Sequence, residues 1–405
     1  MTENTDRLAI EGGTPVRAGY LPYGMHEITD EDVAAVERVL RGTWLTTGPG
    51  VEEFEDALCS AVGAESAAAV SSGTAALHLA YRVAGIGEGD EILTSPLTFA
   101  ATANAALYCG ARPVFADVEE ATLNLDPEAV AAAITPRTRA VVPVHFTGRP
   151  CDLGELKKLC EQHDLLLIED ACHALGAVYA GAPVGSGPAD LSCWSFHPVK
   201  HVAAGEGGAV TSASRPELVE NVKRLRNHGI SRDARERFGS GASWAYEISE
   251  LGFNYRIPDI NCALATSQLA RLDANLERRR ELASIYAEKL SRFEELQLPP
   301  ADDGKCLSAW HLYVVRLRLE RLGASRAEIF AALRAENVGV NVHYIPVYLH
   351  PLYEKLGFRP GSCPVAEEAY EGSLTLPLFP AMSEGDIKDV VRALEKVLGR
   401  YAART

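Results

Sequence analysis

The sequence is short of basic residues. Its 405 residues include 39 lysines and arginines against 55 aspartates and glutamates, which gives a formal net charge of −16. A chain this acidic is repelled by the phosphates of nucleic acids and by anionic membranes. The composition therefore disfavours general binding to either of them. An anionic substrate would need a locally positive site, because the overall field repels it.

A secretory signal is also lacking from this sequence. The first residues, MTENTDRLAIEGG, have no basic start and no apolar segment. The longest uncharged run, from Ile92 to Ala111, has about the length of a membrane span, but serine, proline, threonine, asparagine and glycine interrupt it. We interpret this run as a buried strand, a turn and a helix.

No Cys-x-x-Cys pair occurs among the nine cysteines, and their number is odd. The pattern is atypical of a disulfide framework or a structural zinc site, and it favours reduced thiols in a cytoplasmic protein. His197 and His201 flank Lys200 and are potential metal ligands. Spacing supplies no third ligand, so we expect no metal there.

The arrangement of apolar runs predicts the fold of the first half. Hydrophobic residues make up 47% of the chain and charged residues 23%, which are ordinary values for a folded protein. Between about residues 60 and 212, short apolar runs alternate with helical patterns, two of which open with the capping residues Asp126 and Asp152. The predicted strands are Glu91–Thr94, Pro113–Asp117, Ala140–Val144, Leu165–Glu169, Leu191–Phe196 and Ala209–Thr211. This alternation predicts an α/β fold with a mostly parallel sheet that helices cover on both faces.

The pattern changes after about residue 255. The predicted elements there are a long helical tract over Asp259–Leu290, a strand from His311, a helix from Arg326, a short strand VNVHY and a closing helix from Glu384. We therefore predict a large α/β domain over residues 1–255, with an arm over residues 1–25, and a smaller α+β domain over residues 256–405.

The stretch LSCWSFHPVKHVAAGEGGAVTS contains a lysine in apolar surroundings. Lys200 is the only formally charged residue between Asp190 and Glu206. A lysine between an apolar strand and a glycine-rich turn would be partly desolvated, which lowers its pKa and makes its amine a nucleophile. Such an amine can bond to a carbonyl compound or to pyridoxal phosphate. Alternatively, Lys200 is a loop lysine that points into solvent.

A candidate partner of this lysine lies in LLLIEDACHALG. Asp170 follows an apolar strand and could hold the pyridine nitrogen of pyridoxal phosphate protonated, although an isolated aspartate after a strand is often a helix cap. The order favours the cofactor role. Pyridoxal enzymes of the aspartate-aminotransferase fold place an aspartate after one strand and a lysine after the next, about thirty residues on, as Asp170 and Lys200 are placed here.

The stretch AVSSGTAALHLA predicts a helix start that could bind a phosphate. Ser72, Gly73, Thr74 and Ala75 lie at this start, where exposed N–H groups and two hydroxyls form a cradle for an anion. Ser195, in the lysine segment, could add a further hydroxyl. The same letters also occur at ordinary helix starts.

Two ring side chains are candidates for contact with a flat cofactor. Phe99 falls just after a predicted strand and could stack on the cofactor ring, or it could be a core phenylalanine. His173, three residues beyond Asp170, could hydrogen-bond the phenolic oxygen of the cofactor or a ligand carbonyl, or it could be structural.

Together and in this order, these elements resemble the DegT/DnrJ/EryC1/StrS family of pyridoxal-phosphate-dependent sugar aminotransferases. The resemblance covers nearly the whole chain, from about Leu21 to the final helix, and includes WLTTGPGVEEFE, VPVHFTGRPCDL and FNYRIPDINCALATSQL. It implies fold type I of the pyridoxal-dependent transferases, which is the aspartate-aminotransferase-like fold.

The resemblance also implies roles for the candidate residues. Lys200 would bond to the cofactor aldehyde, Asp170 would pair with the pyridine nitrogen, Phe99 would stack on the ring, and His173 would lie close to the cofactor. Pyridoxamine phosphate would be the intermediate form of the cofactor, and Lys200 would act as general base and acid in both half-reactions.

The phosphate contacts are implied in the same way. Thr74, Ala75 and Ser195 would hold the cofactor phosphate within one subunit. Asn254, in FNYR, would reach the phosphate bound by the partner subunit, because family members are homodimers with shared active sites.

The segments SFHPVKH, GVNVHYIPVYLHPLYEKLGF and SLTLPLFP look most like one branch of the family. That branch makes UDP-4-amino-4,6-dideoxy-N-acetyl-β-L-altrosamine on the route to pseudaminic acid. The implied reaction moves the amino group of L-glutamate to C4 of a UDP-4-keto-6-deoxy-N-acetylhexosamine. The candidate substrate-binding residues are Arg226, His228, Arg256, His343 and Tyr344.

Other readings of the sequence stay open. A sibling branch acts on a UDP-4-keto-pentose and shares several motifs, and other members act on dTDP-keto-sugars; the segment NVHYIPVYLHP favours the hexose branch. A pyridoxal-dependent sugar dehydratase usually carries histidine in place of the anchoring lysine, so Lys200 argues against that activity. A non-catalytic regulator would need a binding module or a basic patch, and neither is visible in the sequence.

Overall fold

The computed structural model describes residues 7–231 and 246–403. Residues 1–6 of the predicted arm, residues 232–245 of the predicted large domain and the last two residues of the chain lie outside these ranges.

The strands and helices alternate through the first half of the described chain. The strands are β1 (Ser66–Val70), β2 (Glu91–Thr94), β3 (Arg112–Phe115), β4 (Thr138–Val142), β5 (Leu166–Asp170), β6 (Val178–Tyr179), β7 (Ala182–Pro183), β8 (Leu191–Ser195), β9 (Gly208–Ser212), β10 (Ile230–Ser231), β11 (Glu247–Ile248), β12 (Leu296–Gln297), β13 (Cys306–Leu307), β14 (Tyr313–Leu317) and β15 (Ser373–Leu376). The helices are α1 (Asp30–Arg41), α2 (Pro49–Val62), α3 (Gly73–Val83), α4 (Ala101–Tyr108), α5 (Pro127–Ala133), α6 (Leu153–His163), α7 (Pro216–Leu225), α8 (Asp259–Leu269), α9 (Leu272–Leu290), α10 (Arg326–Ala335), α11 (Pro351–Lys355), α12 (Pro364–Gly372) and α13 (Glu384–Tyr401).

A seven-stranded sheet, in the order β1–β9–β8–β5–β4–β2–β3, forms the centre of the amino-terminal half. Strands β3, β2, β4, β5 and β8 pair in parallel, whereas β9 runs antiparallel to both β8 and β1. This confirms the predicted α/β fold with a mostly parallel sheet. The carboxyl ends of β2, β5 and β8 lie at one edge, where ligands bind in sheets of this kind.

Helices cover both faces of the sheet, and the alternation of side chains along β1 shows why. Ala68 and Val70 pack in the core that contains α3 and α7, whereas Ala67 and Ala69 pack in the core that contains α2 and α8. Small side chains on β1 allow both helix layers to approach closely.

Two predicted caps are confirmed at helix starts in the same half. The Asp126 carboxylate accepts the N–H of Glu128 at 2.9 Å at the start of α5. The Asp152 carboxylate accepts the N–H of Glu155 at 3.3 Å at the start of α6.

A three-stranded sheet, β12–β14–β15, organises the carboxyl-terminal part with helices α9, α10 and α13. Leu8 and Leu21 of the amino-terminal segment are buried in this second core, and the Leu21 N–H donates to the Asn337 carbonyl at 3.0 Å. The start of the described chain is thus held by the carboxyl-terminal part. The predicted boundary at residue 255 stays a prediction.

Two predictions of secondary structure were wrong, and one strand of the central sheet was not predicted. The tract predicted as one helix is two, α8 and α9, and it breaks at Arg271, whose guanidinium pairs with Asp32 of α1 at 2.5 Å. The predicted strand VNVHY forms only an isolated bridge from Asn341 to Thr375, because the Asn341 side chain accepts the next backbone N–H and so competes with a ladder. Strand β1 was not predicted, since SAAAV has no strand-like alternation of large side chains.

Candidate active site

Asp170 is the last residue of β5, and its carboxylate is buried, with the whole residue 5% exposed. One oxygen accepts the Thr102 hydroxyl at 2.6 Å, and the other accepts the Cys172 N–H at 3.2 Å. Because a carboxylate has about four acceptor positions, it retains capacity for a further donor. The structure therefore places Asp170 as a buried acceptor at the sheet edge, beside the start of α4.

Lys200 lies in the loop that joins β8 to β9. Phe196 closes this loop, since its N–H donates to the Gly207 carbonyl at 2.9 Å and its carbonyl accepts the Ala204 N–H at 2.8 Å. Burial lowers the pKa of Lys200 from its ordinary value, while the nearby Cys172 and Asp170 act in the opposite direction. The amine and the Asp170 carboxylate are thus near enough to interact electrostatically, and their joint role at a cofactor stays a prediction.

The start of α3 lies against the end of β8. Ser72 caps the helix, and its hydroxyl accepts the Ala75 N–H at 3.1 Å. A β-carbon placed on Gly73 would lie 2.9 Å from the Ser195 β-carbon and 3.4 Å from the Cys172 sulfur. Glycine is therefore required for this close approach, which brings the helix start, β8 and the residues after β5 together.

Thr74 is the second residue of α3 and is half-buried. The backbone N–H groups of Gly73 and Thr74 belong to the first helical turn, whose donors have no acceptor within the helix. With the partial positive charge of the helix start, they can bind a phosphate.

Phe99, Tyr344 and His173 line one wall near Asp170. Phe99 is 63% exposed, which is inconsistent with a core residue, and its ring centroid is 6.5 Å from that of Tyr344. The Tyr344 hydroxyl lies 3.2 Å from Nε2 of His173, and the two rings are stacked at 6.1 Å. A flat ring bound above Asp170 would meet aromatic surfaces here.

Three buried imidazoles form a row beside Lys200. The ring centroids of His173 and His311 are 4.5 Å apart, and those of His311 and His201 are 5.5 Å apart. Burial and the Lys200 charge lower the pKa of His173 and of His311 well below the ordinary range, and burial together with Arg279 lowers the pKa of His201 to about 3. The row is neutral at physiological pH. Sequence reasoning missed His311, because nothing in its spacing links it to Lys200.

A second pair of loops adjoins the phosphate cradle. Asn227 and Asn254 form an isolated bridge, and the Ser71 N–H donates to the Tyr255 carbonyl at 2.8 Å, so the segment FNYR lies against the residues before α3. The Asn254 side chain is exposed. Its predicted contact with a partner subunit stays a prediction.

Three of the candidate substrate-binding residues, Arg226, His228 and Arg256, lie in or next to these loops with different partners. Arg256 donates to the Asn227 side chain at 2.7 Å and is half-buried, and His228 is exposed. Arg226 is bound to the Glu55 carboxylate and donates to the Ala69 carbonyl at 2.5 Å. The structure thus leaves Arg256 and His228 near solvent, whereas Arg226 is held beneath β1.

His343 and Tyr344 come from the carboxyl-terminal part of the chain. His343 is 8% exposed, and its Nδ1 lies 2.8 Å from the Thr375 hydroxyl on β15. Burial and the Lys200 charge lower the pKa of His343 to about 4. A loop held against the second sheet therefore supplies two side chains to the site.

These side chains fit pyridoxal phosphate. The site contains a nucleophilic amine for its aldehyde, a buried carboxylate for its ring nitrogen, an exposed aromatic face for its ring and a helix start for its phosphate. Sequence reasoning missed Thr102 and Cys172 as partners of Asp170, because only the folded chain brings α4 against β5. Across residues 7–231 and 246–403, no helix is long and apolar enough to span a bilayer, and no cluster of three or more His, Cys, Asp or Glu residues is arranged to hold a metal ion.

The fold and the site define a pyridoxal-phosphate-dependent aminotransferase of fold type I. The chain belongs to the DegT/DnrJ/EryC1/StrS aminotransferase family, whose model matches residues 26–395. Its relatives include the spore coat polysaccharide biosynthesis protein SpsC of Bacillus subtilis, which is 42% identical over 385 residues, covering 94% of this chain and 98% of SpsC.

Solved structures agree with this assignment. Helicobacter pylori PseC, an aminotransferase involved in the biosynthesis of pseudoaminic acid, is 30% identical with a TM-score of 0.87, over 94% of this chain and 100% of PseC. The pyridoxal phosphate form of Spr1654 from Streptococcus pneumoniae is 29% identical with a TM-score of 0.87, over 94% of this chain and 99% of Spr1654. Spr1654 has also been solved in a pyridoxamine phosphate form.

Proposed function

We propose that this protein transfers the amino group of L-glutamate to C4 of a UDP-4-keto-6-deoxy-N-acetylhexosamine. The product is a UDP-4-amino-4,6-dideoxy sugar of the kind used to make pseudaminic acid. The observation that carries the transamination is the position of Lys200 in the loop after β8, within electrostatic range of the Asp170 carboxylate at the end of β5. Similarity to PseC supports the choice of sugar.

Pyridoxal phosphate, when bound, supplies an aldehyde and an electron-withdrawing ring. The chain supplies the groups that bind it and move protons. Lys200 has a lowered pKa, so more of its amine is neutral near neutral pH and able to take a proton from the α-carbon of the donor at Nζ. The same atom carries the proton that is removed or delivered at C4 of the sugar in the second half-reaction.

The surrounding residues orient this chemistry. Asp170, which accepts the Thr102 hydroxyl, would also accept a hydrogen bond from the ring nitrogen of the cofactor. The N–H groups at the start of α3 and the nearby Ser195 hydroxyl would hold the phosphate and so orient the cofactor toward Lys200.

The proposal includes a homodimer in which Asn254 reaches the cofactor phosphate of the partner subunit. Asn254 is exposed, as such a role requires. Trp44 is 56% exposed, Tyr108 57% and Leu251 80%, and exposed apolar side chains of this size support a subunit interface. Sedimentation equilibrium of the purified protein tests the assembly.

The nucleotide-sugar would extend from the cofactor toward the loops. Arg256 and His228 would meet the diphosphate, and His343 and Tyr344 would face the sugar ring. Arg226 would contribute only if it exchanged Glu55 for the substrate, and this makes it the least favourable of the proposed contacts.

A second candidate is amination of another nucleotide-linked keto-sugar, such as a UDP-4-keto-pentose or a dTDP-keto-sugar. The 42% identity to SpsC, a polysaccharide biosynthesis protein, exceeds the 30% identity to PseC and favours keeping this candidate. A single C6 methyl changes preference by only about 1–3 kcal/mol in an apolar pocket. Retention of Lys200 weighs against a dehydratase.

The test separates the two half-reactions. Purified holoenzyme is mixed with L-glutamate, and conversion of the cofactor to its pyridoxamine form is followed by absorbance. The pyridoxamine form of the enzyme is then incubated with UDP- and dTDP-linked 4-keto sugars, and the products are identified by mass spectrometry. We expect amination of the UDP-4-keto-6-deoxy-N-acetylhexosamine at the highest kcat/KM. Preference for a pentose or a dTDP-sugar would favour the second candidate, and no amination of any sugar would refute both.

A further inference from the structure

Arg279 carries a buried charge without an acidic partner. It lies on α9, is 3% exposed, and donates from Nη1 to the carbonyl oxygens of Leu378 at 3.0 Å, Trp310 at 3.2 Å and His311 at 3.4 Å. Its Nε is buried without a hydrogen-bond partner, and within residues 7–231 and 246–403 no carboxylate lies within ion-pair distance of it. Burial lowers the pKa of Arg279 to about 10, so the guanidinium remains charged at neutral pH. Buried charges in proteins are normally compensated, and three carbonyl dipoles are a partial compensation.

Arg279 also lines a cleft to which Lys200 contributes. The cleft opens to solvent, and its walls include Lys200, His201, Asn275 and Arg279. Asn275 lies one helical turn before Arg279 on α9, and positions four residues apart share a helix face. Helix α9 thus contributes Asn275 and Arg279 to the walls of a cleft that Lys200 also lines.

The charges around this cleft favour an anion. Glu27 is the acidic residue on the walls, and it is exposed, so solvent screens its charge. His201 is neutral because its pKa is about 3, and its Nε2 bonds to the Ala309 carbonyl at 2.9 Å, so it adds no positive charge of its own. A carboxylate bound between Arg279 and Asn275 would supply the missing counter-charge and accept two hydrogen bonds.

We propose that Arg279 and Asn275 form the subsite that binds a carboxylate of the amino donor, an α-amino dicarboxylate, and of its 2-oxo product. The inference rests on the proposed function, because it names how that site recognises the donor rather than the sugar. The nucleotide-sugar carries no carboxylate, so the subsite serves one half-reaction only.

The matched pair Arg279→Gln and Arg280→Gln tests this subsite. Arg280 also donates to backbone carbonyls, those of Ser308 at 3.3 Å and Gly176 at 3.2 Å, but it does not line the cleft. In Arg279→Gln we expect KM for L-glutamate to rise about tenfold or more, as loss of a charge-assisted hydrogen bond predicts. The keto-sugar half-reaction should stay within about twofold of wild type in both variants, and Arg280→Gln should leave the glutamate KM within the same range.

A binding measurement complements the kinetics. Glutarate, a dicarboxylate without an amine, should raise the Tm of wild type and of Arg280→Gln but not that of Arg279→Gln. If Arg279→Gln does not fold, Arg279→Lys keeps the charge without the planar fork and should show a smaller rise in glutamate KM.

Three results would overturn the subsite: an unchanged glutamate KM in Arg279→Gln, equal slowing of both half-reactions, or glutarate stabilisation that persists without Arg279. Slowing of the keto-sugar half-reaction alone would assign Arg279 to the nucleotide diphosphate and would equally refute the proposal. Failure of the proposed function is distinguishable, because the wild-type enzyme would then aminate no nucleotide-sugar, whatever its response to glutarate.

Discussion

Gly73 and Ser195 approach so closely that a β-carbon on Gly73 would stand 2.9 Å from the β-carbon of Ser195. Real β-carbons essentially never come this near to another atom, so the start of α3 can lie against the end of β8 only with glycine at this position. The contact joins the two elements that would hold the phosphate of the cofactor.

Gly73→Ala should therefore weaken cofactor binding. Overpacking costs about 1–3 kcal/mol, and we expect the dissociation constant for pyridoxal phosphate to rise about tenfold, measured by titrating the apoenzyme. Gly399→Ala is the control, because nothing lies within 4 Å of a β-carbon there, on α13, and cofactor affinity should not change. Equal affinities in the two variants would show that the Gly73 contact does not shape the phosphate site.

Asp170→Asn should sharply slow transamination while leaving the fold intact. An amide cannot hold the ring nitrogen protonated, so we expect kcat to fall about 10²-fold or more, read from single-turnover absorbance with L-glutamate. Asp126→Asn is the control for a helix cap, since asparagine caps helices as well as aspartate does. Wild-type rates in Asp170→Asn would mean that Asp170 is only a cap.

Thr102→Val should reveal the support that Asp170 receives from α4. The Thr102 hydroxyl donates to the Asp170 carboxylate at 2.6 Å, and valine matches its shape without the donor. We expect the free energy of unfolding to fall by about 1–3 kcal/mol and the absorbance maximum of the bound cofactor to shift. Thr102→Ser keeps the hydroxyl and should retain the wild-type spectrum. Identical spectra in all three proteins would assign Thr102 a purely structural role.

Acid should destabilise the protein through its buried histidines. Burial holds the pKa of His201 at about 3 and those of His343 and His78 at about 4, so between these values and 6.5 the unfolded chain binds more protons than the folded chain. Stability therefore falls as pH is lowered through this window, by about 2 kcal/mol per histidine at pH 5.

The prediction is checked by urea unfolding at pH 7 and pH 5. His201→Gln should reduce the loss of stability between the two pH values by about 2 kcal/mol, whereas His163→Gln, at the exposed end of α6, should leave the loss unchanged. An identical pH dependence in His201→Gln and wild type would show that His201 is not the titrating group.

Much of the fold could be predicted because apolar patterning and cap chemistry are local. Strand β2 was predicted with its observed bounds, and the caps Asp126 and Asp152 bond as expected. Strand β1 could not be recognised, because its alanines become a strand only through pairing with β9. The break before α9 coincides with the pairing of Arg271 and Asp32, a contact between residues far apart in sequence.

Part of the candidate site could also be predicted, because local sequence patterns mark some of its residues. Asp170 ends β5 and Lys200 lies in the loop after β8, and parallel strands bring such residues to one edge. His311 and Arg279 belong to elements that reach the site only by tertiary packing, and no local pattern marks them. The ion pair between Arg226 and Glu55 could not be predicted from the sequence either, because the sequence does not distinguish a paired arginine from a free one.

The most direct measurement is borohydride reduction of the purified holoenzyme, followed by protease digestion and mass spectrometry. If the Lys200 amine and the Asp170 carboxylate hold pyridoxal phosphate between them, the peptide that contains Lys200 gains the mass of the reduced cofactor and no other lysine does. A protein that takes up no cofactor, or that carries it on a different lysine, would contradict the account.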